Sequence, residues 1–231
     1  MLDSISVSVQ DYVKAVYSLE SRSGAAVSTN DLAERLGVTP GSVSGMVRKL
    51  VANGLARHEP YHGVRLTDSG RRVALEVLRH HRLLELFLAE ELGMPWDRVH
   101  DEAEVLEHVL SEDLEQLIAA RLGNPVFDPH GDPIPSPAFE ITERDTVYLD
   151  QLPDGSSGTF VRVSDSDPGM LRYLAEQGVA LGAHLEVQDH QPFGGPVFVQ
   201  VGDRRLALGG QLAQAMRLEL DAPDADREPR A

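Results

Sequence analysis

Four residues in the middle of the chain, His100, Glu104, Glu107 and His108, carry its strongest chemical signal. On a helix turning by about 100° per residue they project within an arc of about 100°, so imidazole and carboxylate donors converge beside one point. His81 and Glu85, spaced i and i+4, form a second donor pair on the preceding helix, and Asp11 stands among the apolar residues of the first. Acidic groups on a helix face are usually only solvated; the second pair and Asp11 lift the metal reading above that one. Imidazole and carboxylate without thiolate suit a hard or borderline divalent ion such as Mn(II) or Fe(II). The chain has no cysteine, which excludes disulfides, iron–sulfur clusters, thiolate zinc sites and cysteine nucleophiles.

A second match is weaker. His58-Glu59-Pro60-Tyr61-His62 fits H-E-x-x-H, the zinc-peptidase pattern, whose chemistry needs both imidazoles on one helix face. Pro60 inside the span and Gly63 after it oppose a helix, so a solvated turn is the better reading. Phosphate-binding glycine loops and nucleophile-elbow motifs do not occur.

The elements that must position these donors follow from periodicity and caps. Val9, Tyr12, Val13, Val16 and Tyr17 give one amphipathic face, closed at Gly24. Ser28-Thr29-Asn30 caps a second helix ending at Gly37, and Thr39 before Pro40 opens a third that runs to Asn53-Gly54. Helix, short glycine-containing connection, helix is the helix-turn-helix pattern, and 55–58 with 64–66 bracket a hairpin wing. A long helix is expected from Thr67 to Leu92, another from Pro95, and a restart at Ser111 running to Gly123. Five prolines between Asn124 and Pro137 read as a linker. Beyond it come short strands at 146–149, 159–163, 185–187, 197–201 and 216–220, with one helix at 170–177, suggesting a small antiparallel barrel.

This organises the 231 residues as a winged helix-turn-helix (1–75), a helical metal-binding and dimerisation domain (76–140), an SH3-like β-barrel domain (141–221) and a disordered tail (222–231). The fold class is mainly α with a small β portion. The net charge of −16 argues against nucleic acid until it is divided. Residues 1–75 carry +2, 76–140 carry −11 and 141–231 carry −7, so a near-neutral module precedes an acidic centre. No apolar run approaches 18 residues and no signal sequence opens the chain, so no membrane association and a cytoplasmic location are expected.

The blocks His81–Glu85, Trp96–His108, Ser111-Glu112-Asp113 and Pro129–Pro135, in this order behind a winged helix, resemble the diphtheria-toxin-repressor family of metal-dependent transcriptional regulators. The last third is similar in pattern to the SH3-like domain of its three-domain members. The resemblance implies a primary metal site at Asp11, Glu104, Glu107 and His108. It also implies an ancillary site at His81, Glu85 and His100, completed by Asp167 or, as second choice, Asp165. Iron-sensing members have Met and Cys where this chain has Asp11 and Glu104, which favours Mn(II) as co-repressor with Fe(II) as the alternative. Short manganese sensors have Glu where this chain has Lys14, which argues against a binuclear cluster.

Thr39, Gly41, Ser42 and Ser44 open the recognition helix, where relatives often carry Gln at Gly45. With Arg48, Lys49, Arg57 and Arg65 they make the expected DNA face. The function expected is a homodimeric Mn(II)-dependent repressor of metal-homeostasis genes acting on palindromic operator DNA, and not an enzyme. A winged-helix regulator sensing an organic ligand and a di-metal helical enzyme are the rivals; the latter would want two Glu-x-x-His repeats on facing helices, which are missing.

Overall fold

A computed structural model describes residue 2 and residues 5–59 and 62–221; the tail expected at 222–231 lies outside them. Helix α1 (Val7–Ser23) buries Val9, Tyr12, Val13 and Val16 and stops at Gly24, whose N–H bonds Glu20 O. The Ser28 side chain caps α2 (Thr29–Leu36) by accepting from Asp31 N–H, and Thr39 caps α3 (Pro40–Ala52) by accepting from Ser42 N–H. Each cap satisfies one of the free N–H groups of a first turn. The three helices share a core with a hairpin of β1 (Ala56–Glu59) and β2 (Gly63–Leu66), in register Ala56 to Leu66. His58 thus lies on a strand and not on a helix, and the peptidase geometry does not form.

Helix α4 (Asp68–Glu90), capped by Thr67, is the spine. It packs on α1 at one side and on α5 (Val99–Leu106) and α6 (Glu112–Arg121) at the other, around Leu83, Leu84, Ala103 and Ile118. The fifth helix starts at Val99 instead of Pro95, and it ends at Leu106. His100 through His108 therefore do not occupy one continuous helix. Glu107 caps its C-terminus and His108 lies in the turn beyond.

The proline-rich stretch is not a loose linker. Its prolines shape a strap bridged between Phe127 and Pro133, with Asp128, His130 and Ile134 buried. Arg79 Nη1 donates to Pro135 O at 2.7 Å and Arg82 donates to Pro133 O, tying the strap to α4. On its other side Val163 N–H bonds His130 O at 2.9 Å. Gly131 makes that approach possible: its φ is +84°, and a Cβ there would lie 1.9 Å from Val161 O.

The last third is one antiparallel sheet in the order β3-β8-β4-β5-β6-β7. Its strands are β3 (Val147–Tyr148), β4 (Ser157–Val163), β5 (His184–His190), β6 (Val197–Val201), β7 (Arg204–Leu208) and β8 (Met216–Leu220). Helices α7 (Pro168–Glu176) and α8 (Gly210–Ala215) contribute Leu171, Leu174 and Leu212 to its core. Strand β7 and helix α8 were not expected from the sequence. Trp96, the one tryptophan of the chain, joins this sheet domain to the helices: Nε1 donates to Leu171 O at 3.2 Å and the ring stacks on His130 at 6.2 Å.

Candidate metal centres and the DNA-binding face

The donors fall into three adjoining clusters beside α4, the first two bridged by a further group of His81, Glu104 and Glu107. In the first, α1 supplies Asp11 and the end of α5 supplies Glu107 and His108. His108 Nε2 lies 3.0 Å from Asp11 Oδ1 and 3.5 Å from Glu107 Oε1. Gln10 sets the imidazole: its Nε2 donates to Ile5 O at 2.9 Å, which turns its Oε1 toward His108 Nδ1 at 2.8 Å. Nδ1 thus points its N–H at Gln10, and Nε2 is turned toward the carboxylates as the ring atom available to a cation. Burial raises the pKa of Asp11, against the lowering influence of His108 and Lys14.

Lys14, one turn after Asp11, reaches into the same space. Its Nζ lies 2.6 Å from Glu104 Oε1 and 2.7 and 2.8 Å from the two oxygens of Glu107. The Glu107 side chain is wholly buried and also meets His81 Nδ1 at 2.5 Å. His80, itself buried, holds the helix end in place through Glu107 O at 3.1 Å and Glu115 at 3.2 Å. Burial opposes ionisation of Glu104, but Lys14 holds its pKa below the ordinary value.

The second cluster is His81, Glu85, His100 and Asp165. His100 Nδ1 lies 3.0 Å from Asp165 Oδ2, 3.2 Å from Glu85 Oε1 and 3.2 Å from His81 Nε2. A hydrogen bond donated to Asp165, then one to Glu85, raises the His100 pKa to about 10. Burial opposes them, but His81 and His100 hold Glu85 well below the usual carboxylate range. One proton can serve only one side of the nitrogen-to-nitrogen contact, whereas a divalent cation would be met by all four donors together. Asp165, not Asp167, is the acidic group that the C-terminal domain brings here. Asp167 is used locally as the N-cap of α7, accepting from Gly169 N–H at 2.8 Å. Both lie in one loop after β4, so composition could not choose between them.

The third cluster, Glu85, Asp128 and His130, is entirely buried. His130 Nε2 donates to Trp96 O at 2.8 Å, which leaves the Nδ1 lone pair facing Glu85 Oε2 at 3.9 Å with no hydrogen-bond partner. Burial, with Asp132 and Glu85 nearby, pushes the Asp128 pKa well up. A buried lone pair among carboxylates is a costly arrangement that a cation would relieve. Reading 124–137 as a linker hid this set, although a His between two Asp in Asp128-Pro129-His130-Gly131-Asp132 was a visible signal. Gln10 and His80 were also missed; each neighbours a ligand-type residue on a buried helix face.

At the other end of the molecule, Thr39, Gly41, Ser42, Ser44, Arg48 and Lys49 are all exposed on α3. Open space surrounds Gly45. Ser44 Oγ donates back to Pro40 O at 2.9 Å, and Lys49 Nζ reaches Ser6 Oγ at 3.4 Å. Arg57 is exposed on the wing. Its cross-strand neighbour Arg65 is bound to Glu20 at 2.8 Å and donates to Gly24 O at 3.2 Å, so it braces the wing against α1.

Comparison with known proteins decides the family. Residues 4–64 match the iron-dependent repressor N-terminal DNA-binding domain and 67–136 the metal-binding and dimerisation domain of the same repressors. The chain belongs to the iron-dependent repressor family. Residues 147–220 match the FeoA domain, the SH3-like module of such regulators. The iron-dependent repressor IdeR of Mycobacterium tuberculosis is 33% identical over 220 residues, covering 90% of this chain and 95% of that protein. The diphtheria toxin repressor of Corynebacterium efficiens is 29% identical over 218 residues, covering 90% and 93%. Among solved structures, a manganese-dependent transcriptional repressor in complex with manganese is similar with a TM-score of 0.85 and 45% identity, covering 91% of this chain and 98% of that one. This member of the repressor family is accordingly a metal-dependent DNA-binding transcriptional repressor with a dimerisation domain, and not an enzyme. Among the described residues no helix is long and apolar enough to cross a membrane.

Proposed function

We propose that the chain is a manganese-activated repressor that binds palindromic operator DNA as a homodimer in the cytoplasm and controls metal-homeostasis genes. The observation that carries the metal choice is the first cluster. It joins the DNA-binding module to the helical module through Asp11, Glu107 and His108, with Glu104 beside them and no sulfur donor. Oxygen-rich sets of this kind do not favour the later, thiophilic metals. Kinship with a 45% identical manganese-dependent repressor supports the reading. Fe(II) is the second reading, because the curated relatives at 33% identity are iron-dependent.

In this reading Asp11, Glu104, Glu107 and His108 hold the primary ion, and His81, Glu85, His100 and Asp165 the ancillary one. A bound cation supplies the positive charge that lets these carboxylates pack together without repulsion. Gln10 keeps the His108 lone pair turned inward, and Asp11 carries the constraint into α1 and so into the position of α3. Two α3 helices spaced by one DNA turn, roughly 34 Å, would then enter successive major grooves. Val105, Val109, Leu114 and Leu117 are exposed together on α5, its following turn and α6, and we assign this apolar face to the dimer contact. We place the divisions between DNA-binding, metal-binding and SH3-like domains at residues 75 and 140.

The deciding experiment titrates Mn(II), Fe(II), Zn(II) and Co(II) anaerobically against the full chain while its binding to its own promoter DNA is followed. Mn(II) is expected to activate at the lowest concentration. Activation by Fe(II) at lower concentration would select the second reading, and binding without metal would defeat both.

A further inference from the structure

A cavity of about 720 Å³ lies where α1, α4, the strap and the sheet meet, apart from the recognition helix. Its wall is unusual for a chain of net charge −16. Five arginines line it, namely Arg22, Arg82, Arg144, Arg162 and Arg217, against Asp132, Glu143 and Asp165. All three carboxylates are already engaged. Asp132 pairs with Arg162 and, at 3.9 Å, with Arg82; Glu143 pairs with Arg162 at 3.2 Å; Asp165 belongs to His100. Among the described residues Arg22, Arg144 and Arg217 have no carboxylate partner.

The two arginines on the sheet side are also held in a way that their surroundings alone do not reward. Arg217 on β8 stands directly opposite Arg162 on β4, a like-charge cross-strand pair, which destabilises a sheet. Its Nε is buried with no acceptor. Arg217 lies over the Tyr148 ring at 4.9 Å, and Arg144 over the Phe127 ring at 3.7 Å. Arg144 Nη1 also donates to Val161 O at 3.4 Å, and aromatic support of this kind fixes a guanidinium plane with its remaining outer N–H groups available to an acceptor.

We infer that this cleft binds a small multivalent oxyanion of the phosphate type, a phosphorylated small molecule, between Arg144 and Arg217 of the C-terminal half and Arg22 of α1. The volume lies within the usual range for metabolite sites, about 300–1,000 Å³, and exceeds that of inorganic phosphate. Such a ligand would meet the outer N–H groups of Arg217 that face the cleft and relieve the Arg162–Arg217 repulsion. It would also fasten the DNA-binding module to the sheet, giving the repressor an anionic input besides metal.

The test uses the full chain stripped of metal, titrated calorimetrically with inorganic pyrophosphate at constant ionic strength. One saturable site per chain is expected. Arg217→Met and Arg144→Met should each weaken it by about tenfold or more, the usual consequence of losing a charge-assisted contact. Arg217→Lys, which keeps the charge without the planar guanidinium, should retain an intermediate affinity and shows that a loss in the Met variant is not unfolding. Arg205→Met, outside the cleft, should leave binding unchanged. Absence of saturable binding, equal weakening by Arg205→Met, or stoichiometric displacement of pyrophosphate by a non-specific DNA duplex would overturn the assignment. Because no metal is present, failure here leaves metal-activated operator binding untouched.

Discussion

Lys14 places a permanent cation where two buried or half-buried carboxylates converge, so the metal-free protein already has a tie between α1 and α5. Taking it away should act in two opposite directions. Removing one partner of a buried ion pair costs about 3–5 kcal/mol, so Lys14→Met should lower the melting temperature of the metal-free protein. The same change removes a positive charge next to the primary site and should tighten Mn(II) binding by about tenfold or more. Melting curves with and without Mn(II) check both; a parallel fall in the two would show that Lys14 is only a packing residue.

His100 supplies a pH dependence at the same scale. Its pKa is near 10 in the fold and 6.5 in the absence of the fold, so its pairing contributes stability fully below about 6.5 that is lost as the pH rises toward 10. Burial works against Asp165, yet the hydrogen bond from His100 brings it to about 2 from 3.8. Its contribution is present above 3.8 and lost as the pH falls toward 2. The metal-free protein should therefore lose melting temperature between pH 7 and 10, and Asp165→Asn should flatten that loss. Cation binding at His100 must release the proton, so affinity there should rise with pH by up to about tenfold per unit below 10.

Local signals were most legible where one residue does one job. Ser28, Thr39, Thr67 and Ser111 announce helix starts, and each side chain caps the helix it announces. Helix α8, at six residues, is too short to show a period, and β7 opens on two arginines that do not alternate with apolar residues. Prolines 125–137 misled for a physical reason: they signal the absence of regular structure, not the absence of burial. Likewise, spacing placed His100 to His108 on one face, but the helix ends at Leu106, and tertiary packing sends His100 toward the sheet and His108 toward α1. Gly131→Ala tests the strap as an element. A side chain at φ +84° and 1.9 Å from Val161 O must push the strap off β4, costing at least about 2 kcal/mol. Fewer Mn(II) ions per chain, counted by dialysis, should accompany the lower melting temperature, since Asp165 and His130 then part from Glu85.

Across the whole molecule, the central basic groups such as Lys14 and Arg162 are largely paired with carboxylates, while the exposed face of α3 and the wing carry unpaired basic groups. Arg48 and Arg57 have no ion-pair partner among the described residues, whereas Arg65 is committed to Glu20. Under saturating Mn(II), Arg48→Ala and Arg57→Ala should each shallow the salt dependence of operator binding by about one counterion unit. Arg65→Ala should mainly lower stability and leave the salt slope near that of the parent. A slope lowered only by Arg65→Ala would reverse the division between bracing and phosphate contact.

Trp96 gives the protein an optical character of its own. As the one indole of the chain, it is stacked on His130 and bonded to Leu171, so every photon of tryptophan fluorescence originates at the seam between the helices and the sheet. Separation of the seam would hydrate the ring and shift the emission to the red. The emission of the unlabelled protein therefore reports on this one junction, and a change in it on adding Mn(II) would register any cation-driven shift between helices and sheet.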